Sequence, residues 1–176
     1  KGTIWQFGKL ISHTHKSNLK QTFNNIAVTG QFNNFDATVE ANATDFPMQK
    51  LLLADVNSID TRNEQRDGHL KSADFFDAAN YPKISFVSKS LSKKYDIDFV
   101  KCDLTIKGVT KKVELDVQFN GIVQGFGGGE VAGFKISGKI NRFDFGLQWN
   151  ALTETGGIVV GADVKIEISA EFVKAT

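Results

Sequence analysis

Cysteine is nearly absent from this chain of 176 residues: Cys102 stands alone, so no intrachain disulfide can form and cysteine usage leaves the redox compartment open. In the strand-like stretch where it falls, a small buried thiol fits better than a reactive one. No apolar run approaches the roughly 18 residues that a membrane-spanning helix needs. Neither sign of charge prevails, with 21 Lys and Arg against 20 Asp and Glu, and the basic residues are scattered. That argues against a surface built for phosphate backbones. Tyrosine and tryptophan number two each beside 15 phenylalanines. Phenylalanine brings large apolar area without a polar tip, so the imbalance suits a packed core or a greasy cavity better than a hydrogen-bonding cleft. With 41% hydrophobic and 23% charged residues, the composition is that of one ordinary globular domain, 1–176, long enough to bury a core. Lys1 opens the chain without methionine, which fits a form left by signal-peptide removal and equally a trimmed one.

What is present is period-two alternation. Val113, Leu115, Val117 and Phe119 alternate with Lys112, Glu114, Asp116 and Gln118, and Val164, Ile166, Ile168, Ala170 and Phe172 alternate with Asp163, Lys165, Glu167 and Ser169. Both read as half-buried strands. Weaker versions run through 30–41, 51–56, 84–91, 95–106 and 134–140. Within 95–106 the apolar parity moves from Tyr95, Ile97 and Phe99 to Cys102, Leu104 and Ile106, which predicts a bulge near Val100. Lys107-Gly108 reads as a tight hairpin and 125–130, GFGGGE, as a longer hairpin tip. The latter lacks the lysine of a phosphate loop, and a strand pattern follows it rather than a helix. Gly156-Gly157 marks a further loop. Many strands, one helix and no βαβ alternation give an all-β antiparallel sandwich or barrel.

The exception to the strand pattern is Ser58 to Ser88. Thr61 with Glu64 three residues on predicts a capped helix start, and Pro82 ends any helix before Ile84, Phe86 and Ser88 alternate. Leu70, Phe75 and Phe76 are its strongly apolar side chains, and they suit a cap over a barrel mouth.

The same segment, S-I-D-T-x-N-x-x-R-D-x-H-L-x-S-x-D-F-F-D-A-x-x-Y-P-x-I-S-F-x-S, is followed by LTIKGVTKKVELDVQFNG at Leu104 to Gly121 and by INRFDFGL at Ile140 to Leu147. With V-x-G-x-F at Val28 to Phe32, these blocks resemble the YceI family in order and spacing over nearly the whole chain. The resemblance implies an eight-stranded antiparallel lipocalin-like barrel with one short helix-containing cap. It also implies a bound isoprenoid or other long-chain lipid and a periplasmic or secreted setting in bacteria. His13-Thr14 stands where the family has a His-Ser pair that opens a cavity-lining strand, while Asn18 and Thr22 fall where it has a phenylalanine and a second histidine. Cys102 replaces a glycine common before the LTI block.

The expected ligand-lining set is Phe32, Val56, Phe86, Leu104, Ile106, Leu115, Val117, Phe119, Phe134 and Ile136, with Leu70, Phe75 and Phe76 near a mouth. Arg66, His69 and Arg142 are candidate rim or head-group contacts; a rim anchor is the simpler role for Arg66, Asp67 and Arg142. No cofactor, no metal and no catalysis are expected, and the partner is a long-chain lipid rather than nucleic acid or a membrane span. Exposed edges or a mouth-to-mouth contact would support a homodimer. Two other classes remain. His13-x-His15 with His69 offers half of a zinc site but no local carboxylate to complete it, and Asp67, His69 and Ser58 or Ser72 hold hydrolase ingredients without a nucleophile elbow. A solid phenylalanine-rich core would make the chain a structural or stress protein.

Overall fold

The computed structural model describes residues 4–8, 17–23, 26–42, 45–94, 97–125, 128–150 and 160–174. Its strands are β1 (Ile4–Gly8), β2 (Ser17–Phe23), β3 (Ile26–Phe32), β4 (Phe35–Asn42), β5 (Asp45–Asp55) and β6 (Ile59–Asp60). After one helix, α1 (Glu64–Lys71), come β7 (Lys83–Lys94), β8 (Ile97–Ile106), β9 (Val109–Gln124), β10 (Glu130–Asn141) and β11 (Asp163–Lys174). All ladders are antiparallel. In the order β1-β4-β5-β7-β8-β9-β10-β11 each strand bonds to the next, and a short β11–β1 pairing at Phe7–Lys174 and Gly8–Val173 closes the series into a ring. Closure removes the edges that a sandwich would leave, which is the physical gain of this choice. The other half of β11 turns to β2, from which β3 and β6 continue as a branch. Ser17–Phe23 is therefore a regular strand despite its polar composition.

Alternation decides which side chains face in. Directly opposed residues share a face, and the pairs Phe86–Leu104, Val100–Leu115, Ile136–Val117 and Ile136–Ile168 are all buried. These belong to one continuous apolar core that also takes in Phe32, Val56, Ile106 and Phe145. Lys107 and Gly108 both adopt positive φ, 48° and 74°, as the two-residue hairpin requires. Gly108 is needed twice, because a Cβ there would also lie 2.6 Å from Tyr81 Cε1.

The bulge expected near Val100 is absent, and Phe99 faces outward opposite Asp116. β8 is continuous against β9, with Val100 buried and facing in. An extra residue lies across the ladder in β7, where the register shifts between Ser88 and Ser90. Lys89, left over there, reaches out to Asp103 at 3.1 Å. A second shift, between Gly133 and Phe134 of β10, leaves Asn120 of β9 unmatched. Phe119 and Ile122 then both stand on the inner face, opposite Phe134 and Ala132.

The helix starts two residues later than the Thr61 capping box predicts. Asn63 is the N-cap, its side-chain oxygen accepting from Arg66 N at 2.9 Å. Thr61 is buried instead: its hydroxyl donates to Asp67 and accepts from Arg66 Nε at 2.7 Å, while Arg66 Nη2 donates to Thr61 O at 2.8 Å. A threonine clasped by a charge pair is better used as a pin than as a cap.

Candidate functional site

The barrel has two unlike ends. At one, the cap (61–82), the 3-10 turns Val56–Ser58 and Arg142–Phe145 and the β8–β9 hairpin come together. Lys107 Nζ donates to Ala73 O at 2.7 Å, and Val56 N to Pro82 O at 2.9 Å, so the cap is tied to two barrel turns. Phe75 and Phe76 are 6% and 9% exposed, and Phe76 meets Phe32 edge-on at 6.2 Å. Leu70 packs against the core from the half-buried side of the helix. These three close this end of the barrel as its cap. The reason is proximity to Phe32 and the buried 3-10 turns, which no local pattern reveals.

His69 belongs to the same seal. Its ring lies edge-on to Phe75 at 5.1 Å and to Trp149 at 4.6 Å, with Asp74 at 3.5 Å. Trp149, missed in the sequence, comes from a segment 80 positions away and carries no periodic signal. Arg142 is 2% exposed. Its Nε donates to Gly161 O at 2.8 Å, Nη1 to Leu147 O and to Trp149 O at 2.9 Å, and Nη2 to Val160 O at 3.1 Å. Its donors are taken up by the carbonyls of the rim segment, the contacts of a rim anchor. Arg66 is likewise committed to Thr61.

The hydrolase ingredients are not assembled. Asp67 is bound to Thr61, Ser58 Oγ donates to Asp55 O at 2.7 Å, and Ser72 Oγ donates to the backbone oxygen of His69. His13 and His15 lie outside the described residues, as do Tyr95 and Gly156-Gly157. Among the described residues no three His, Cys, Asp or Glu gather as a metal site, and no helix is long and apolar enough to cross a membrane.

From the cap end the inner row of β9 runs Val113, Leu115, Val117, Phe119, beside Ile136, Phe134 and Ala132 of β10. Burial is nearly complete until the far rim, where Phe119 is 47% and Ile122 53% exposed although both face inward. Of the expected lining set, Phe32, Val56, Phe86, Leu104, Ile106, Leu115, Val117, Phe134 and Ile136 are buried in one cluster, and Phe119 alone is left uncovered at its edge. The Phe119 ring lies 5.1 Å from that of Phe134, tilted by 39°. Ile122 was not foreseen, because the Asn120 bulge shifts it inward. The interior is therefore apolar, sealed at the cap and uncovered at the opposite rim.

Cys102 faces into the same wall, its thiol against Val113 O at 3.4 Å, and burial pushes its pKa up from 9.0 to about 12, with Asp103 adding to the effect. A raised thiol pKa means that the folded state holds a proton which the unfolded state releases above pH 9. Stability should thus fall as pH rises from 9 toward 12, and urea titrations should show a smaller fall for Cys102→Ala. The native thiol should also resist a disulfide reagent that labels it at once in urea.

Comparison with known proteins gives consistent relations. UPF0312 protein SAS2572 of Staphylococcus aureus (strain MSSA476) is 44% identical over 147 residues, 82% of this chain and 84% of that protein. The crystal structure of the Campylobacter jejuni YCEI protein matches with a TM-score of 0.71 at 29% identity, covering 85% of this chain and 86% of that one. A polyisoprenoid binding domain from Saccharophagus degradans, at 15% identity, shares the fold with a TM-score of 0.65 over 99% of this chain and 100% of its own. Residues 11–172 match the YceI-like domain, a span that holds every strand from β2 to β10 and most of β11, and the chain belongs to that family.

Proposed function

We propose that the barrel binds a long-chain amphiphile, an isoprenoid, quinone or fatty-acid-like lipid, and sequesters or carries it without transforming it. The observation that carries this reading is the inward-facing apolar surface left uncovered at one end, with Phe119 and Ile122 exposed on the inner face above a closed core. The fold shared with a polyisoprenoid binding domain supports it. So does the chemistry: burial contributes about 0.8 kcal/mol per methylene, and some ten methylenes give roughly 8 kcal/mol, enough for about micromolar binding before ordering costs. Apolar walls select for length and shape rather than for chemical identity. Because the cap end is packed, the chain of the ligand enters from the Phe119 rim, and the contact set centres on Phe119, Ile122 and Phe134. A periplasmic or secreted setting, where such a molecule needs shielding from water, belongs to the same reading.

Uptake of a fluorescent fatty-acid probe tests it. The protein should bind the probe with enhanced emission, and Phe119→Asp should weaken binding at least tenfold, about 1.4 kcal/mol, while the circular dichroism spectrum stays that of a strand-rich fold. No uptake by the wild type would refute the reading.

A further inference from the structure

The far rim is uneven. The β8–β9 ladder stops at Asp98–Val117, whereas β9 continues to Gln124 paired only with β10 among the described residues. The wall steps up there and presents an edge along Gln118–Gln124. Edges of this kind are ordinarily guarded by charge or proline. Here no charged residue and no proline stands between Asp116 and Glu130, in a chain with 23% charged residues. Gly121, at φ 97°, accommodates the bulge that turns Ile122 inward and leaves Val123 outward, opposite Val131. Val123 is 64% exposed, beside an outer groove lined by Asn120, Gly121, Val131 and Gly133, with Ser169 and Glu171 of β11 on its far side. Exposed apolar side chains therefore occupy both faces of this lip, a β9 end that carries no charge of its own after Asp116. A cargo molecule covers the inner face and a partner protein would cover the outer one; a medium that surrounds the lip covers both.

We infer that the end of β9, from Gln118 to Gly125, enters the interfacial layer of a lipid bilayer, and that the amphiphile passes between bilayer and barrel over Phe119 and Ile122. The passage rests on the proposed function, whereas the docking rests on the exposed side chains alone. The edge, without a ladder partner beyond Val117 on the β8 side among the described residues, keeps the insertion shallow, because backbone N–H and C=O groups need partners that the hydrocarbon core does not offer. Attraction comes from apolar area rather than from charge, so docking should persist on neutral lipid and at high salt.

Co-sedimentation of the full chain with phosphatidylcholine vesicles, at low and high salt, is the test. The wild type should sediment with the vesicles in both. Val123→Asp, on the outer face and away from the cargo, should partition at least about tenfold more weakly while taking up the fatty-acid probe from solution as the wild type does. Val123→Ser, with a smaller loss in the same direction, covers the case in which the aspartate variant fails to fold. Absence of wild-type vesicle binding, or equal binding by the Val123 variants, would overturn the docking. So would a change from dimer to monomer on substitution with vesicle binding unaltered, which would assign the lip to a second copy of the chain. Vesicle binding without probe uptake would uphold the docking and refute the lipid-carrier reading; probe uptake without vesicle binding would do the reverse.

Discussion

Arg142→Ala should lower the stability of the fold by about 4 kcal/mol, with a fall in the urea midpoint and a red shift of tryptophan emission. The guanidinium is buried, and among the described residues no carboxylate pairs with it; its charge is balanced by the carbonyl oxygens of Leu147, Trp149, Val160 and Gly161. Burial lowers its pKa from the ordinary guanidinium value. Removal of the side chain strips donors from four acceptors at once and frees the segment that holds Trp149 against His69 and Phe75. Lysine cannot substitute, since one ammonium group does not span the fork of contacts that the planar guanidinium makes. A Trp5→Phe background isolates the Trp149 signal, because the chain has only these two tryptophans. A loss below about 1 kcal/mol with unshifted emission would show that the rim segment is held by other means.

Phe76→Asp should unfold the protein outright, whereas Phe119→Asp should leave it folded. Phe76 sits in the core against Phe32, and a carboxylate placed there has no described partner and no route to water. The cost is several kcal/mol, most of the stability of a domain of this size. At Phe119 the new charge reaches solvent and spoils only the apolar path into the barrel. Thermal melts followed by circular dichroism separate the two outcomes. A folded Phe76→Asp variant that merely loses probe would return the ligand entrance to the cap end.

Much of the wall was legible because β9 as far as Phe119 and β11 alternate, and the pairing Ile136–Val117 and Ile136–Ile168 follows once those faces are known. Which end is covered was not. Phe75 and Phe76 look like mouth residues in a charged segment, yet they are covered by Phe32 and Trp149, which arrive from distant parts of the chain. Likewise no bulge interrupts β8 near Val100: Phe99 simply faces outward opposite Asp116, and the register shift of this region lies in β7 between Ser88 and Ser90. Arg142 carries no sign of burial in INRFDFG; only the carbonyls of a segment beyond it in sequence explain why a charge is tolerated there.

The central claim is that the apolar interior holds a lipid. Organic extraction of protein purified without detergent, followed by mass spectrometry, tests it most directly. The account predicts a long-chain amphiphile at substantial occupancy in wild-type protein and a marked depletion in Phe119→Asp purified alongside. Extracts free of lipid in repeated wild-type preparations would contradict it and leave the barrel a solid-cored structural protein.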